Sequence, residues 1–419
     1  MNKYLGLIIR LVKNFYGSPD FSFDLPSGLL HRELAFMFFD KEEMLRHVSF
    51  NDAASLRAFI ASRAPRHVYY SSAYYSSPGE ADMDSKGWMG ADLVFDIDAD
   101  HILTPCKREH DKWRCCDCGT NDRGAPPSAC PNCGSRKIDS KSFYLCPTCL
   151  EASKAELIKL IEDFLIPDFG FSPKEIHIAF SGRRGYHVHI TSAIVRELDQ
   201  YARREIVDYI KAVSLKLESH GFHVLIKASP SPPSLNHPGW RGRIARGIYS
   251  FLSSASLDDL RLLLPPSKRG LAAEIYNNKY KILSQLESPR PNWSSILKYG
   301  RGFWERLVSK SVELQRCEID ERVTTDVRRL IRLPGTIHGD TGLIAKPLSL
   351  NEVDSFDPLK DSVAFKRGEI KVYVRESPQV TLMGRTFGPF NDERVTLPTA
   401  VAFYLLRSGL ADLIEDHEA

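Results

Sequence analysis

Eight of the nine cysteines lie between Cys106 and Cys149, in the stretch CKREHDKWRCCDCGTNDRGAPPSACPNCGSRKIDSKSFYLCPTCL. A segment this short, rich in Gly, Pro and Lys/Arg and poor in apolar side chains, cannot bury a core of its own, so metal or disulfides must hold it. No secretory signal is read at the start, because the apolar run Leu5 to Ile9 is cut short by Arg10. No stretch approaches the roughly 18 apolar residues of a membrane span. The expected location is the cytoplasm, where clustered cysteines point to zinc. Cys115, Cys118, Cys130 and Cys133 make two Cys-x-x-Cys knuckles, each followed by a glycine, which is zinc-ribbon spacing. Cys106, His110, Cys146 and Cys149 would then form a second tetrahedral site around the first. Cys116 is left over, and it or Cys115 could exchange roles. Cys317 stands alone and reads as a small core residue.

The insert interrupts a chain of ordinary composition. With 419 residues, 43% apolar and 26% charged, there is enough chain for two or three structural units. A net charge of +3 is silent about nucleic acid, because phosphate binding depends on where basic side chains cluster. Residues 1–103 hold helical patterns, including HRELAFMFF at His31 to Phe39, then the aromatic stretch HVYYSSAYYSS, then a strand pattern, ADLVFDIDADH. After the insert at 104–150, residues 151–194 return to amphipathic helix and to EIHIAF and YHVHI, two strands joined by the turn SGRRG. Residues 195–315 are mainly helical, with proline-rich loops such as SPSPPSLNHPGW. Residues 316–419 regain strand character around Glu318 and Leu343 and end in a helix. The expected architecture is α/β (α+β), one core in three pieces with an inserted zinc module and a helical subdomain.

In DLVFDIDADH, Leu93, Phe95 and Ile97 share one parity, and Asp92, Asp96, Asp98 and Asp100 share the other. A strand here buries one face and presents a row of carboxylates, which is unfavourable without a cation. Asp96 and Asp98 are spaced to hold one or two divalent ions, although a lone Asp-x-Asp is equally well read as the solvated end of a strand. For a third carboxylate, ELQRCEIDERVTTD offers Glu318, Asp320, Glu321 and Asp326. Burial of Ile319 and Val323 would turn Asp320 toward the opposite face, and Asp326 would suit the start of a helix DVRRLI.

The turn Ser181-Gly182-Arg183-Arg184-Gly185 joins a hydroxyl, two glycines and two guanidiniums, the makings of an anion clamp. His187 lies close enough to the turn to reach the same anion, whereas His189 reads as a surface strand residue. A second cluster, RRLIRLPGTIHGDTGL, sets Arg328, Arg329 and Arg332 near His338; alone, it is as well explained by a solvated basic helix before a proline turn. Arg241, Arg243 and Arg246 beside Trp240 suit a nucleic-acid backbone track.

Taken in order, KGWMGADLVFDIDADH, FSGRRGYHVHI and RRLIRLPGTIHGDTGL resemble the three signature blocks of the archaeo-eukaryotic DNA primase catalytic (small) subunit, archaeal type. The resemblance spans nearly the whole chain. It implies a catalytic core with an RRM-like element, a helical subdomain and a zinc module close to the active site. By that likeness Asp96, Asp98 and Asp320 hold Mg²⁺ or Mn²⁺, and Ser181, Arg183, Arg184, His187, Arg332 and His338 contact the nucleotide and its triphosphate. Cys106, His110, Cys146 and Cys149 resemble the family's usual zinc knuckle, whereas Cys115 to Cys133 look like an added ribbon.

The implied activity is two-metal nucleotidyl transfer from nucleoside triphosphates, making short RNA or DNA primers on single-stranded DNA, with a separate large subunit as partner. Two other readings compete. A zinc-stabilised binding subunit with vestigial acids explains the insert and the basic clusters, but not three motifs in family order. A primase-like repair polymerase would more often carry a fused ligase or nuclease, which is not seen in this sequence.

Overall fold

The computed structural model describes residues 3–141, 144–222 and 232–414. The chain forms two compact units, one from Met1–Ile158, Ser172–Arg204 and Ile319–Ala419, the other from Lys159–Phe171 and Glu205–Glu318. Among the described residues, no helix is long and apolar enough to cross a membrane.

The first stretch of the larger unit carries β1 (Leu34–Met37), β2 (Leu45–Val48), β3 (His67–Ser71), β4 (Ala73–Tyr75), β5 (Trp88–Ala91) and β6 (Leu93–Asp98). The run HRELAFMFF, read above as helix, is therefore β1. Leu34, Ala35 and Phe36 are all fully buried because β1 lies between β2 and β3 with both faces covered. A strand buried on both sides loses the two-residue alternation that marks strands in a sequence.

The insert forms a three-stranded sheet, with β7 (Lys112–Cys115) between β8 (Asn121–Arg123) and β9 (Ile138–Lys141). Beyond it, β10 (Ile176–Phe180) and β11 (Gly185–Ile190) make the expected hairpin, with Phe180 opposite Tyr186. The strands β12 (Leu330–Arg332) and β13 (Pro347–Leu348) then complete two four-stranded sheets, ordered β12-β3-β1-β2 and β13-β10-β11-β6. The helix expected over DVRRLI is replaced by a turn and β12, because pairing with β3 and burial of Ile331 against Val94 and Val323 outweigh local helix preference. Likewise, Glu318 lies in no strand, and Leu343 makes only an isolated bridge to Val363. The C-terminal part adds β14 (Glu369–Ser377), β15 (Val380–Leu382), β16 (Arg385–Phe387), β17 (Phe390–Pro398) and β18 (Ala411–Leu413), with the buried helix Thr399–Arg407.

β6 pairs antiparallel with β11 from Leu93↔Ile190 to Asp98↔Gly185, so the acidic end of β6 meets the SGRRG turn. Gly185 permits that approach, since a Cβ there would run into the carbonyl of Ile97. Gly182 has φ 81°, and a Cβ on it would lie 2.9 Å from the Cβ of His338.

The smaller unit contains the helices Gly239–Ser254, Leu257–Leu263, Ala272–Leu286, Ser294–Leu297 and Arg301–Gln315. Of the basic track read around Trp240, Arg243 is part of this unit's own core, whereas Arg241 and Arg246 are half-buried. Arg243 is buried, with Nη1 2.9 Å from Asp168 Oδ2, and Trp240 Nε1 donates to the carbonyl of Tyr209 at 2.8 Å. Arg246 Nη1 donates to the carbonyl of Leu235. Of SPSPPSLNHPGW, residues 229–231 lie outside the described residues. Residues 195–204, read above with the helical part, group with the larger unit, where the buried Arg203 donates to the carbonyls of Ala91 and Asp92.

Candidate active site and cysteine clusters

Of the acidic row that runs along β6 and just beyond its ends, the two outermost members are engaged by arginines. Asp92 is buried and accepts from Arg32 Nη2 at 2.7 Å and from the Tyr74 hydroxyl at 3.0 Å. Asp100 pairs with Arg184 Nη1 at 2.7 Å and with Arg183 Nη2 at 3.5 Å. Asp96 and Asp98 are left facing a cleft of about 170 Å³. Ser181, Arg183, His187, Tyr69, Arg329, Arg332 and His338 line the rest of it. Larger cavities of about 900 and 810 Å³ exist on the chain, but neither contains the β6 carboxylates or the turn arginines, so chemistry rather than size selects the site.

Burial, followed by the nearby charges of Asp98 and Asp320, pushes the Asp96 carboxyl up to about 7. Burial and Asp100 raise that of Asp98 as well. Carboxylates crowded in this way want a cation between them. Asp320 is held beside the pair by its backbone, whose N–H donates to the carbonyl of Asp96 at 2.8 Å. It lies on no strand: it caps the helix Glu321–Thr325, its carboxylate accepting the N–H of Arg322 at 2.9 Å with His101 Nε2 3.9 Å away. A helix cap rather than the expected strand alternation thus positions Asp320, which is absent from the cleft lining.

The anion side is equally specific. Ser181 Oγ accepts the N–H groups of Arg183 and Gly185 at 3.4 and 3.3 Å, closing the turn on itself. The Arg183 side chain is one-third exposed and lines the cleft. Arg184 does not line it. Its guanidinium is fully buried, bonded to Asp100 and 3.8 Å from Asp111, so the two adjacent arginines point to different tasks. His187 Nε2 lies 3.7 Å from Asp96 Oδ1, and burial together with Arg332 and Arg329 keeps its imidazole neutral, down to about 3. His189 is not a surface residue: it is buried and stacked on Tyr70, whose hydroxyl is 3.1 Å from Nδ1, where the first sheet covers the second.

Tyr69 is absent from the residues the sequence points to, whereas Arg329 belongs to the basic cluster read there beside His338. The signal lies in HVYYS, where His67 and Tyr69 share a strand face within an aromatic run that shows no clear period.

The insert brings its ligands together in both expected sets. Cys106, His110, Cys146 and Cys149 form one group and Cys115, Cys118, Cys130 and Cys133 the other, each with all ligand atoms within 4.8 Å of one another. Sγ pairs lie 3.5 and 3.6 Å apart in the first set and 3.6 Å in the second. Four sulfurs at tetrahedral Zn–S distance would sit about 3.8 Å apart, so the donor sets fit zinc. His110 Nδ1 lies 2.8 Å from Asp111 Oδ1, which leaves Nε2 for the metal, 3.4 Å from Cys149 Sγ. Cys116 is exposed and outside both sets.

The chain is similar to proteins of one family. Residues 141–350 match the family described as DNA primase small subunit. The DNA primase small subunit PriS of Methanothrix thermoacetophila is 35% identical over 411 residues, covering 94% of this chain and 95% of that protein. The PriS proteins of Cenarchaeum symbiosum, 32% identical with 98% of each chain covered, and of Halorubrum lacusprofundi, 34% identical with 88% of this chain and 87% of that protein covered, are similar to it as well.

Proposed function

The chain belongs to the DNA primase small-subunit family and is a primer-synthesising nucleotidyltransferase of DNA replication, and from that premise we propose that its chemistry is centred on Asp96, Asp98 and Asp320. These carboxylates would hold Mg²⁺ or Mn²⁺. When bound, such ions neutralise the charge that builds up as a 3′ hydroxyl attacks the α-phosphate of a nucleoside triphosphate in line and pyrophosphate leaves.

The rest of the work falls to the chain's own side chains. Arg183, Arg332 and Ser181 grip the phosphates beside the carboxylates, and neutral His338 and His187 donate hydrogen bonds there. Arg184 supports the grip indirectly, by fixing Asp100 under Arg183. The single observation that carries this reading is one small cleft with Asp96 and Asp98 on one strand and Arg183, Arg329 and Arg332 around it, the charge pattern of a metal–triphosphate complex.

The substrates are a single-stranded DNA template and nucleoside triphosphates, and the products are short RNA primers, with DNA primers within the same chemistry. A large subunit completes a heterodimer, and the enzyme works in the cytoplasm. Zinc fills both cysteine sets as structural metal, since each closes with four protein ligands and leaves no open position. The direct test is primer extension by Asp96→Asn and Asp98→Asn proteins, which should be inactive while retaining zinc and fold.

A further inference from the structure

Arg332 reaches the cleft from β12, and its Nη1 lies 2.7 Å from Nδ1 of His67, on the neighbouring strand β3. Guanidinium N–H can only donate, so His67 Nδ1 is the acceptor and the ring proton sits on Nε2. Nε2 faces Asp340 Oδ2 at 3.3 Å. The Asp340 carboxylate is in turn held by Arg66 Nη2 at 2.6 Å and Arg407 Nη2 at 2.7 Å, both on Oδ1. Arg332 also lies over the ring of Tyr69, its Cζ 5.2 Å from the centroid. The order is thus Arg66 and Arg407, Asp340, His67, Arg332, then the cleft.

Every link has a fixed direction. His67 is nearly fully buried, and protonating it would set a cation against Arg332, so the ring stays neutral, with Nδ1 accepting from Arg332 and from the N–H of Gly339 at 3.4 Å and Nε2 facing Asp340. The carboxylate behind Nε2 strengthens Nδ1 as an acceptor and locks the ring, as the aspartate behind a catalytic or metal-bound histidine does. His67, His338 and Asp340 are close enough to share a metal ion, but direct contacts from Arg66, Arg332 and Arg407 surround them with positive charge and oppose a cation. The same charges favour an anion in the cleft beyond.

We propose that His67, oriented by Asp340, is a positioning residue that presents the guanidinium of Arg332 to the phosphates of the incoming nucleotide. This rests on the reading of Arg332 as a phosphate contact. Without His67 the guanidinium would keep its charge and lose its aim, so nucleotide binding would weaken more than turnover. His67→Asn places an amide oxygen where Nδ1 stands and keeps the acceptor for Arg332, whereas His67→Ala removes it.

The test is extension of a primed single strand by the full-length chain, with KM for the nucleotide and kcat measured separately for His67→Ala, His67→Asn, Arg332→Ala and the double variant His67→Ala/Arg332→Ala. The expected result is a KM about tenfold higher for His67→Ala with kcat little changed, on the scale of one charged hydrogen bond. His67→Asn should recover most of that loss, and His67→Ala should add nothing once Arg332 is gone. An unchanged KM in His67→Ala, with Arg332→Ala impaired, would overturn the inference and leave the phosphate reading standing. An unchanged KM in Arg332→Ala would remove the phosphate reading itself. If His67→Ala fails to fold, Asp340→Asn decides: it should raise KM in the same sense, and a normal KM there counts against the proposal.

Discussion

The N–H of Asp320 donates to the carbonyl oxygen of Asp96 at 2.8 Å, joining two acidic residues that lie far apart in the chain. Because the bond is between backbones, it holds the third carboxylate beside the first pair whether or not the side chains are charged. Substitutions of these carboxylates should therefore change electrostatics while leaving this geometry in place.

The crowding at Asp96 gives a signed dependence on pH. The folded chain keeps a proton there up to about 7, whereas the unfolded chain releases it near the ordinary carboxyl value, about 3.9. Between those values the folded state binds more protons, so this group's contribution to stability falls as pH rises, by at most about 1.4 kcal/mol per unit. Thermal unfolding of protein dialysed free of magnesium, without chelators that would strip zinc, should show this slope. It should flatten in Asp96→Asn and with saturating Mg²⁺. An identical slope in Asp96→Asn would show that Asp96 is not the group responsible.

The two arginines of the turn should fail differently. Arg183→Ala should raise KM for nucleotide about tenfold or more with little change in melting temperature, since the side chain is partly exposed at the cleft. Arg184→Ala removes the nearer cationic partner of Asp100 from a buried position and should cost about 1–3 kcal/mol of stability, less than the roughly 3–5 kcal/mol of a fully buried broken pair because Asp100 is one-third exposed and keeps Arg183. Matching losses of stability in both proteins would contradict the division of roles.

Zinc content is a direct count. Metal analysis of the purified chain should give two zinc ions per molecule. Cys118→Ser should lower the count toward one with the active site intact, whereas Cys116→Ser should leave it at two, because Cys116 is exposed and outside both ligand sets. Loss of zinc from Cys116→Ser would mean that the ligands are partitioned differently.

What the sequence revealed follows from how local each feature is. The β6 pattern, the SGRRG hairpin and the cysteine knuckles are set by neighbours within a few residues, and each forms where the spacing placed it. β1 was hidden because a strand covered on both faces has no period to read, and β12 because its pairing with β3 outweighs a helix-like run of arginines and leucines. Asp320 comes from the family likeness together with an expected strand alternation, and it sits instead at a helix cap. The roles of Arg184, His189 and His67 depend on Asp100, Tyr70 and Asp340, partners supplied by tertiary folding, so no local spacing could announce them.

The most direct test of the account is synthesis from labelled nucleotides on unprimed circular single-stranded DNA with Mg²⁺ or Mn²⁺, comparing the unmodified chain, with its large subunit, against the Asp98→Asn protein. The account expects primers from the first and none from the second, with both retaining zinc and fold. Primer synthesis at a near-normal rate by the Asp98→Asn protein would contradict it.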